Sequence, residues 1–520
     1  MDPLVVLPAE IVLRILHYAS LGTVTALAQS SRPWNAFIES AHREIIYASK
    51  APLMQDAVSL KEPGQCFRHF NTITRLGEGV ESWKEACRRL ILLERSWRDE
   101  KLNPRETLIQ VGNNPVWRFR PDFKRRFIVS TSHAGGLNVT DIDTGQLLWS
   151  LDLGTVRRFA HLEYQDGTAV WDRFQNTLEV WKTDLPGLKR GEFRQVALLP
   201  HDVITRGFQL SYQTLCVVSS ESQGFVYDFP PYPEKPNLRK CIEIEEGAVG
   251  HLDQDEEFVM YSMGTQGYHI FNKTSGELQG HIHPHMVDPS EIYHISHPIR
   301  SVTDEQVFFT RYTPAQTRRH EGLTRLWIEN GPLNDTVEGS EVPVLRKLDH
   351  DEWGAGMVNG NTMVGFSRDG RLVLCSDWRR ALRSQEDFTA VTCVIECDPG
   401  GDSFDLGGWL HLHETVSGKR IIFEIKDSIY ILSLNANGKL DITKPGFAAP
   451  TCSRSELAVP VSFMGVYDDC IMNTFTSLGV DSIDSGWTED DDLLDLVGSD
   501  ATRRHFLTKA IRTLNLAPEL

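Results

Sequence analysis

The densest group of side chains that could do chemistry is a histidine-rich stretch, "GHIHPHMVDPSEIYHISH", at residues 280–297. Five of its residues are histidines, and imidazole is the commonest metal ligand among protein side chains. His281 and His283 could share one face of a strand, but Pro284 breaks that alternation, and the ligand order typical of metallo-hydrolases is missing. The pattern favours a polar insertion loop, with a metal site as the alternative.

Two further pairs have the residue types of a metal centre without its usual spacing. Three residues separate Cys393 from Cys397, and one separates His411 from His413, neither of which is a standard zinc pattern. We predict that these four residues lie in strands. The sequence also lacks a Gly-rich phosphate loop, a Gly-x-Ser-x-Gly elbow and a cysteine–histidine ligase signature. It therefore predicts no catalytic residue, no metal and no cofactor, in a protein that is not an enzyme.

Charge, apolar runs and cysteine spacing exclude several classes of partner and location. The chain has 520 residues and a net charge of −18, with 71 acidic and 53 basic side chains, which argues against nucleic acid or an anionic membrane as a partner. No apolar run is long enough to span a bilayer, and Glu10 and Arg14 interrupt the N-terminal apolar stretch, so we expect neither a membrane helix nor a secretory signal. The nine cysteines form no Cys-x-x-Cys pair, which favours reduced thiols in the cytoplasm or nucleus.

The N-terminal stretch "LPAEIVLRIL", residues 7–16, predicts a helix that is apolar almost all the way round. The apolar residues of this helix are Ile11, Val12, Leu13, Ile15 and Leu16. Such a helix is buried on more than one side, and a helix near a chain end finds one of those sides within its own domain. The other side must face something else. Pro8 suits the first helical position, and the helix is predicted to run to about Leu21.

Two more short helices are predicted directly after it. Gly22 can end the first helix, Thr23 can cap the second, and Ser31 can cap the third. Apolar residues recur along the third helix at helical spacing: Trp34, Phe37, Ile38, Ala41 and Ile45. Three short helices in about 40 residues make a unit smaller than most domains that fold alone, which again indicates a partner.

This stretch resembles the F-box, a three-helix module that docks on the Skp-type adaptor of cullin–RING (SCF) ubiquitin ligases. The matching residues are Leu7, Pro8, Glu10, Ile11, Ile15, Leu16, Leu21, Val24, Leu27, Ser31, Arg32 and Trp34. One position departs from the pattern, since Thr23 stands where an aspartate is common. The resemblance implies adaptor-binding residues, which are Leu7, Pro8, Ile11, Ile15, Leu16, Leu27 and Trp34. The alternative is a plain helical hairpin packed on the body of the protein.

A helical spacer is predicted next. In "SWKEACRRLILLERSW", residues 82–97, one apolar stripe runs through Trp83, Ala86, Leu90, Leu93 and Trp97, and Ser82 can cap the helix. The pattern is sufficient for an amphipathic core helix. It is also similar to the linker helix of F-box proteins that carry a WD-repeat propeller, which implies that it holds a substrate domain at a set distance from the adaptor.

The remainder of the chain alternates short β-rich runs with polar turns. Similar runs recur at intervals of about 36 to 68 residues, as blades of four strands with loop insertions would. The best interpretation is a β-propeller of seven or eight blades, with "PVSFMGVYDDCIMNTF" (460–475) supplying closing strands; stacked sandwiches are the alternative. "VTDIDTGQLLW" (139–149) also resembles the repeat of quinoprotein dehydrogenases, but it occurs once. We expect Gly145 to form its turn and Trp149 to fill the space between sheets.

The C-terminal region splits into two parts. Residues 481–500 carry eight acidic residues and no basic one, which predicts a flexible segment. "ATRRHFLTKAIRTLNL" (501–516) reads as a short basic amphipathic helix with a stripe formed by Phe506, Leu507, Ile511 and Leu514. The predicted fold class is therefore multidomain, with an all-α start followed by an all-β propeller. Its parts are an F-box at 1–48, a helical linker at 49–105, the propeller at 106–480, and the acidic segment with the short helix at 481–520.

Taken with the resemblance, these elements imply the substrate-recognition subunit of an SCF ubiquitin ligase. The F-box would bind the Skp-type adaptor, and through it the cullin and RING subunits, while the propeller would bind a target protein, phosphorylated or not. The basic clusters, such as Arg118 with Arg120 and Arg379 with Arg380, are predicted to be surface charge; in phosphodegron-reading relatives such arginines bind phosphate. The alternatives are a non-degradative F-box scaffold and a propeller enzyme with a helical prefix.

Overall fold

A computed structural model describes residues 2–50, 62–67, 69–98, 104–111, 114–173, 176–244, 250–296, 308–310, 315–319, 323–331, 351–397, 409–415, 418–425, 428–451, 461–482 and 503–518. A small helical region comes first, and a much larger region of antiparallel strands follows. Of the predicted acidic segment at 481–500, residues 483–500 lie outside the described residues, and its first two residues end a strand. No helix among the described residues is both long enough and apolar enough to cross a membrane.

The described part of the N-terminal region contains six α-helices: α1 (Pro3–Val6), α2 (Ala9–Tyr18), α3 (Leu21–Ser30), α4 (Arg32–Asn35), α5 (Arg43–Ala48) and α6 (Trp83–Ser96). A π-helix, Ala36–Ala41, joins α4 to α5, and a 3-10 helix, Pro63–Phe67, precedes α6. The caps predicted at Ser31 and Ser82 are confirmed, since their hydroxyls accept hydrogen bonds from the backbone N–H groups of Trp34 and Glu85.

The predicted boundary between the first two helices is wrong. Helix α2 ends at Tyr18, and Ser20 rather than Thr23 caps α3, because the Ser20 hydroxyl accepts the N–H of Thr23 at 3.0 Å. Gly22 lies inside α3. A serine hydroxyl satisfies one of the orphan donors of a helix start, and this local hydrogen bond decides where α3 begins.

Strand β1 (Arg105–Ile109) follows the helices, and four four-stranded antiparallel sheets then come in chain order. The first contains β2 (Val116–Asp122), β3 (Phe127–Ser132), β4 (Leu137–Asp141) and β5 (Leu147–Leu151). The second contains β6 (Leu162–Gln165), β7 (Thr168–Arg173), β8 (Thr177–Lys182) and β9 (Arg194–Pro200). The third contains β10 (Thr205–Ser211), β11 (Thr214–Ser219), β12 (Gln223–Asp228) and β13 (Asn237–Glu243). The fourth contains β14 (Leu252–Gln254), β15 (Phe258–Ser262), β16 (Tyr268–Asn272) and β17 (Leu278–Ile282).

A ten-stranded sheet comes next and joins two further groups of four strands. Between β17 and these groups lie two 3-10 helices, Pro284–Met286 and Pro289–Glu291, and the strands β18 (Ile292–Ser296), β19 (Phe308–Thr310), β20 (Ala315–Arg319) and β21 (Thr324–Asn330). One group contains β22 (Trp353–Asn359), β23 (Thr362–Ser367), β24 (Arg371–Cys375) and β25 (Thr392–Glu396), with helices α7 (Trp378–Ala381) and α8 (Gln385–Val391) between its last two strands. The other contains β26 (Leu410–Thr415), β27 (Gly418–Ile425), β28 (Ser428–Ser433) and β29 (Gly446–Pro450).

Strands β18 and β21 connect the two groups, because β18 pairs with β25 and β21 pairs with β29. Strand β21 therefore belongs to a bridge between two sheets. The histidine-rich stretch is not a simple loop either, since His281 lies in β17 and His294 lies in β18. Cys393, His411 and His413 lie in strands as predicted, and Cys397 follows directly after β25.

The last sheet closes the chain on itself. It is built from β30 (Met464–Val466), β31 (Cys470–Ser482) and β32 (Arg503–Asn515), with β1 paired along β32 and with β19 and β20 at its two edges. Strands are present within 461–475 as predicted, in β30 and the start of β31. The helix predicted over 501–516 is wrong, because residues 503–515 form β32. Ile511, Arg512 and Leu514 are all buried, since β32 lies between β31 and β1. A strand buried on both faces cannot be separated from a short helix by its apolar pattern.

The first strand of each group packs against the first strand of the next. The succession runs β2, β6, β10, β14, β22, β26 and β30, and β2 in turn contacts β31 and β32. The Ser462 hydroxyl donates to the Val116 carbonyl at 3.2 Å across this last contact. The turns between outer strands are built as the sequence predicts: Asp141 accepts the N–H groups of Asp143 and Thr144, and Gly145 has a φ of +71°. The ring of Trp149 packs against Trp181 and Phe193 of the next sheet.

Substitution of one residue of β32 tests whether this late strand is essential. Leu514 is fully buried, so Leu514→Ala is expected to lower the free energy of unfolding by about 2–5 kcal/mol. The control Leu278→Ala, at a partly exposed leucine of β17, should change it by less than about 0.5 kcal/mol. Urea denaturation measures both, and equal effects of the two variants would contradict the placement of β32 in the core.

Candidate functional site

Helix α2 has one face in the core and one face in solvent. Val12 and Leu16 are buried with α3, α5 and α6, whereas Ile11 and Ile15 are 45% and 53% exposed. Tyr18 is 78% exposed, and Pro8 is exposed as well. Pro8, Ile11, Ile15 and Tyr18 step by three and four residues, so they lie on one side of the helix. We call these four residues the exposed α2 face.

Other exposed apolar side chains come from the same helical region. Val5 and Val6 lie in α1, directly before α2, and Ile45 in α5 is 65% exposed. Isolated exposed apolar residues are common on protein surfaces, but a contiguous apolar stripe on one helix is typical of an interaction site. Tyr18 is not among the residues predicted from the sequence, although its spacing of three from Ile15 and seven from Ile11 places it on the same side of the helix.

The seven residues that the resemblance assigns to adaptor binding divide into three groups. Pro8, Ile11 and Ile15 are exposed, as a docking surface requires. Leu7, Leu27 and Trp34 are half-buried and pack against the helical core. Leu16 is 1% exposed, so its side chain stabilises the unit from within and leaves no surface for a partner. The helical periodicity that places Leu16 opposite Ile11 and Tyr18 explains why it belongs to the core.

Hydrogen bonds and ion pairs hold α2, α5 and α6 together. The Lys50 ammonium donates to the carbonyls of His17 and Ala19, both at 2.6 Å, at the C-terminal end of α2. Glu39 accepts hydrogen bonds from Lys84 and from the Tyr47 hydroxyl, at 2.7 and 2.8 Å. Because these contacts reach from α2 to α6, the exposed α2 face has a set orientation relative to α6.

The C-terminal end of α6 is joined to the strand region by side chains that are mostly buried. The Trp97 indole N–H donates to the Asp468 carbonyl at 2.9 Å, and its ring stacks on His413. The Arg420 guanidinium lies 4.8 Å from the centre of the same ring and forms an ion pair with Glu94 at 2.8 Å. The stripe predicted from Trp83 to Trp97 is therefore confirmed as a core face, and its last residue contacts the sheets.

Two adjacent carboxylates form the second half of this joint. Asp468 accepts the backbone N–H of Asn71, and Asp469 accepts those of Ile73 and Thr74 at 2.9 Å. The Thr74 hydroxyl adds a further hydrogen bond to Asp469 at 2.6 Å. We call Trp97, Glu94, Arg420, Asp468 and Asp469 the α6 joint. It ties the segment before α6 and the end of α6 to the same edge of the strand region.

Burial perturbs titration at the joint. It raises the pKa of Asp468 to about 7, while it lowers the pKa of His413 to about 3, helped by the charge of Arg420. His413 is therefore neutral near pH 7. The Asp468 carboxyl is protonated in the folded protein at pH values where it is ionised in the unfolded chain.

The histidine-rich stretch was the alternative candidate for a metal site. The rings of His269, His281, His283 and His285 follow one another at centroid distances of 4.1, 5.3 and 5.4 Å. Even so, no group of three His, Cys, Asp or Glu side chains in the described part of the chain is placed to hold a metal ion.

Most of the basic clusters are surface charge with acidic neighbours. Arg157 pairs with Asp172, Arg379 with Asp255, and Arg380 with Asp387. Arg118 and Arg120 contradict the surface interpretation, because both are half-buried and line a cavity among the first strands of the sheets.

Comparisons with known proteins add little beyond this. No protein-family model and no curated protein sequence matches the chain. One similar solved structure is a computationally designed protein named Ika8, with 12% identity over 77% of this chain and 98% of that chain and a TM-score of 0.39. Another belongs to a mitotic checkpoint complex, with 9% identity over 65% of this chain and 76% of that chain and a TM-score of 0.36. At these scores neither likeness supports an assignment, so the strand pairing and the side-chain geometry must support it instead.

The α6 joint predicts a defined pH dependence. Because the pKa of Asp468 is raised in the folded state, its contribution to stability is complete below the unfolded pKa of about 4 and is lost as the pH rises towards 7. Asp468→Asn removes this titration and keeps a hydrogen-bond acceptor for Asn71. Urea denaturation between pH 4.5 and 8 should therefore show a smaller decline of the free energy of unfolding with pH in the variant than in the wild type. Parallel curves would contradict the assignment.

Proposed function

We propose that this protein is the substrate-recognition subunit of an SCF-type ubiquitin ligase. Its helical region would bind the Skp-type adaptor, and its strand region would bind a target protein. The observation that carries the proposal is the exposed α2 face, an apolar stripe without a partner in the described residues on a helix whose opposite side is fixed in the core. Helix-in-groove recognition uses apolar anchors at this spacing.

The strand region fits the second half of this proposal. We propose that its seven groups of strands are the blades of a propeller, with β1 completing the last blade. The succession of contacts between first strands, which returns from β31 and β32 to β2, supports a closed ring. The paired N- and C-terminal strands support it as well, because such pairing removes the edge that an open arrangement would leave.

The α6 joint supports the mechanism. A ligase receptor acts by raising the effective concentration of a target lysine near the charged enzyme, and a rigid spacer with the right span does this better than a flexible one. In this proposal no residue of the chain carries out ubiquitin chemistry, which takes place on other subunits. A compartment in the cytoplasm or nucleus stays a prediction from the cysteine pattern.

Substitution of two exposed isoleucines tests adaptor binding. The double variant Ile11→Asp, Ile15→Asp is expected to weaken binding of a purified Skp-type adaptor by at least about 100-fold, since charge on the exposed α2 face would be buried without a partner. The control Leu198→Asp changes an equally exposed leucine of β9 and should bind normally. Calorimetric titration measures affinity. Unchanged affinity of the double variant, with melting temperatures equal to that of the wild type, would contradict the proposal.

A second experiment separates a ligase receptor from a non-degradative scaffold. With the proteasome inhibited, the wild-type chain should co-purify with a cullin, and at least one protein bound to the strand region should carry ubiquitin. The double isoleucine variant should still bind that protein but should lose both the cullin and the ubiquitin. Cullin binding without any ubiquitinated or accumulating protein would favour the scaffold.

A further inference from the structure

The first strands of the seven groups surround a cavity of about 250 Å³. Six of the side chains that line it are basic: Arg118, Arg120, His161, Arg206, His251 and His411. The acidic side chains among its lining residues are Glu163 and Asp253. Even without the histidines, three arginines therefore face two carboxyl groups, in a chain with a net charge of −18.

Both acidic groups have their own hydrogen-bond partners. Glu163 accepts from the Arg120 guanidinium at 2.6 Å and lies 3.1 Å from the Nε2 atom of His161. Asp253 accepts from the Gln209 amide and from the Val358 backbone N–H at 2.7 Å. Burial raises the pKa of Asp253 to about 7, so this carboxyl carries little charge below neutral pH.

Arg118 has no ion pair and no side-chain hydrogen bond to the described residues. Its guanidinium lies 4.7 Å from the centre of the Trp409 ring and 5.8 Å from that of Phe463, and its Nε atom is buried without an acceptor. A guanidinium has five N–H donors in a fork that fits a carboxylate or phosphate, and an aromatic face satisfies none of them directionally. The aromatic rings therefore hold Arg118 in place and leave its donors unused.

The positive charge of Arg118 also acts on two of the histidines that line the cavity, His161 and His251. Burial and the nearby charge of Arg118 lower the pKa of His251 to about 4 and also lower that of His161. Near pH 7 both imidazoles are neutral. A neutral imidazole has one N–H donor, and the Nε2 atoms of His161 and His411 already face Glu163 and the Met464 carbonyl. His251 is therefore the histidine that can donate to an anion without adding charge of its own.

We propose that this central cavity binds a small oxyanion, a free molecule that carries a phosphate or carboxylate group, with Arg118 as its main ligand. Size restricts the ligand, since typical sites for drug-sized molecules enclose about 300–1,000 Å³. The site does not depend on the adaptor proposal, because none of its residues belongs to the helical region.

Anion binding to the full chain tests the site. Inorganic phosphate and citrate are titrated calorimetrically, with potassium chloride at matched ionic strength as the baseline. At least one of the two should bind saturably and raise the melting temperature above that in chloride. Phosphate binding alone identifies a phosphate-bearing ligand, and citrate binding alone a carboxylate. Failure of both to bind would overturn the proposal.

Variants of Arg118 link that binding to the cavity. Arg118→Met should lower the affinity at least 10-fold, whereas Arg118→Lys should keep part of it as a point charge without the fork. The control Arg194→Met changes an exposed arginine of β9 and should bind like the wild type. Normal anion affinity of Arg118→Met would overturn the proposal. If Arg118→Met fails to fold, Arg118→Lys replaces it in the test. Wild-type anion affinity in Arg118→Lys would then overturn the proposal that the forked donors of the Arg118 guanidinium bind the anion.

The pKa of His251, measured by NMR, gives a second test. It would not depend on the anion if Arg118 only stabilised the fold. An anion on Arg118 offsets its charge, so the pKa of His251 should rise when the binding anion is present. The His251 signal is assigned from His251→Gln in protein labelled at histidine. A pH titration that is identical in the binding anion and in chloride would contradict a site at Arg118.

Discussion

The arrangement of this protein depends on the α6 joint, where a short buried surface connects two regions of different architecture. Trp97 supplies the apolar contact and an indole donor, while Asp468 and Asp469 accept backbone N–H groups from the segment before α6. Buried carboxylates are stable only when such donors reach them. These contacts fix the helical region on the sheets, while the exposed α2 face takes no part in them.

A second constraint lies among the first strands of the sheets. These strands bring polar side chains from distant parts of the sequence to one cavity, where three arginines lie among two carboxyl groups. Glu163 is shared between Arg120 and His161, so Arg118 stacks on Trp409 instead of forming an ion pair. Neighbouring sheets pack against one another through apolar side chains, while Arg118 at the cavity has no ion pair within the described residues.

Helix caps and turns were predicted correctly from the sequence where a single residue type satisfies a single local requirement. Serines at 31 and 82 cap helices because their hydroxyls reach orphan N–H groups, and Gly145 permits a turn with positive φ. The same reasoning misplaced the cap of α3, because Ser20 and Thr23 are both suitable and only the path of the chain after α2 decides between them. For the exposed α2 face, the sequence predicted Pro8, Ile11 and Ile15 but not the burial of Leu16, which depends on packing against the other helices.

The sequence by itself determined the order of the parts, the helical periodicity of α2 and α6, and the alternation of strands with polar turns, because each follows from contacts between near neighbours. Tertiary structure alone decided that residues 503–515 form a central strand, that β18 and β21 bridge two sheets, and that Arg118 lies in a cavity. Each of these depends on partners that are far away in the chain. The residue types of an apolar or basic stretch limit the contacts that it can make. The packing of the sheets determines which of those contacts forms.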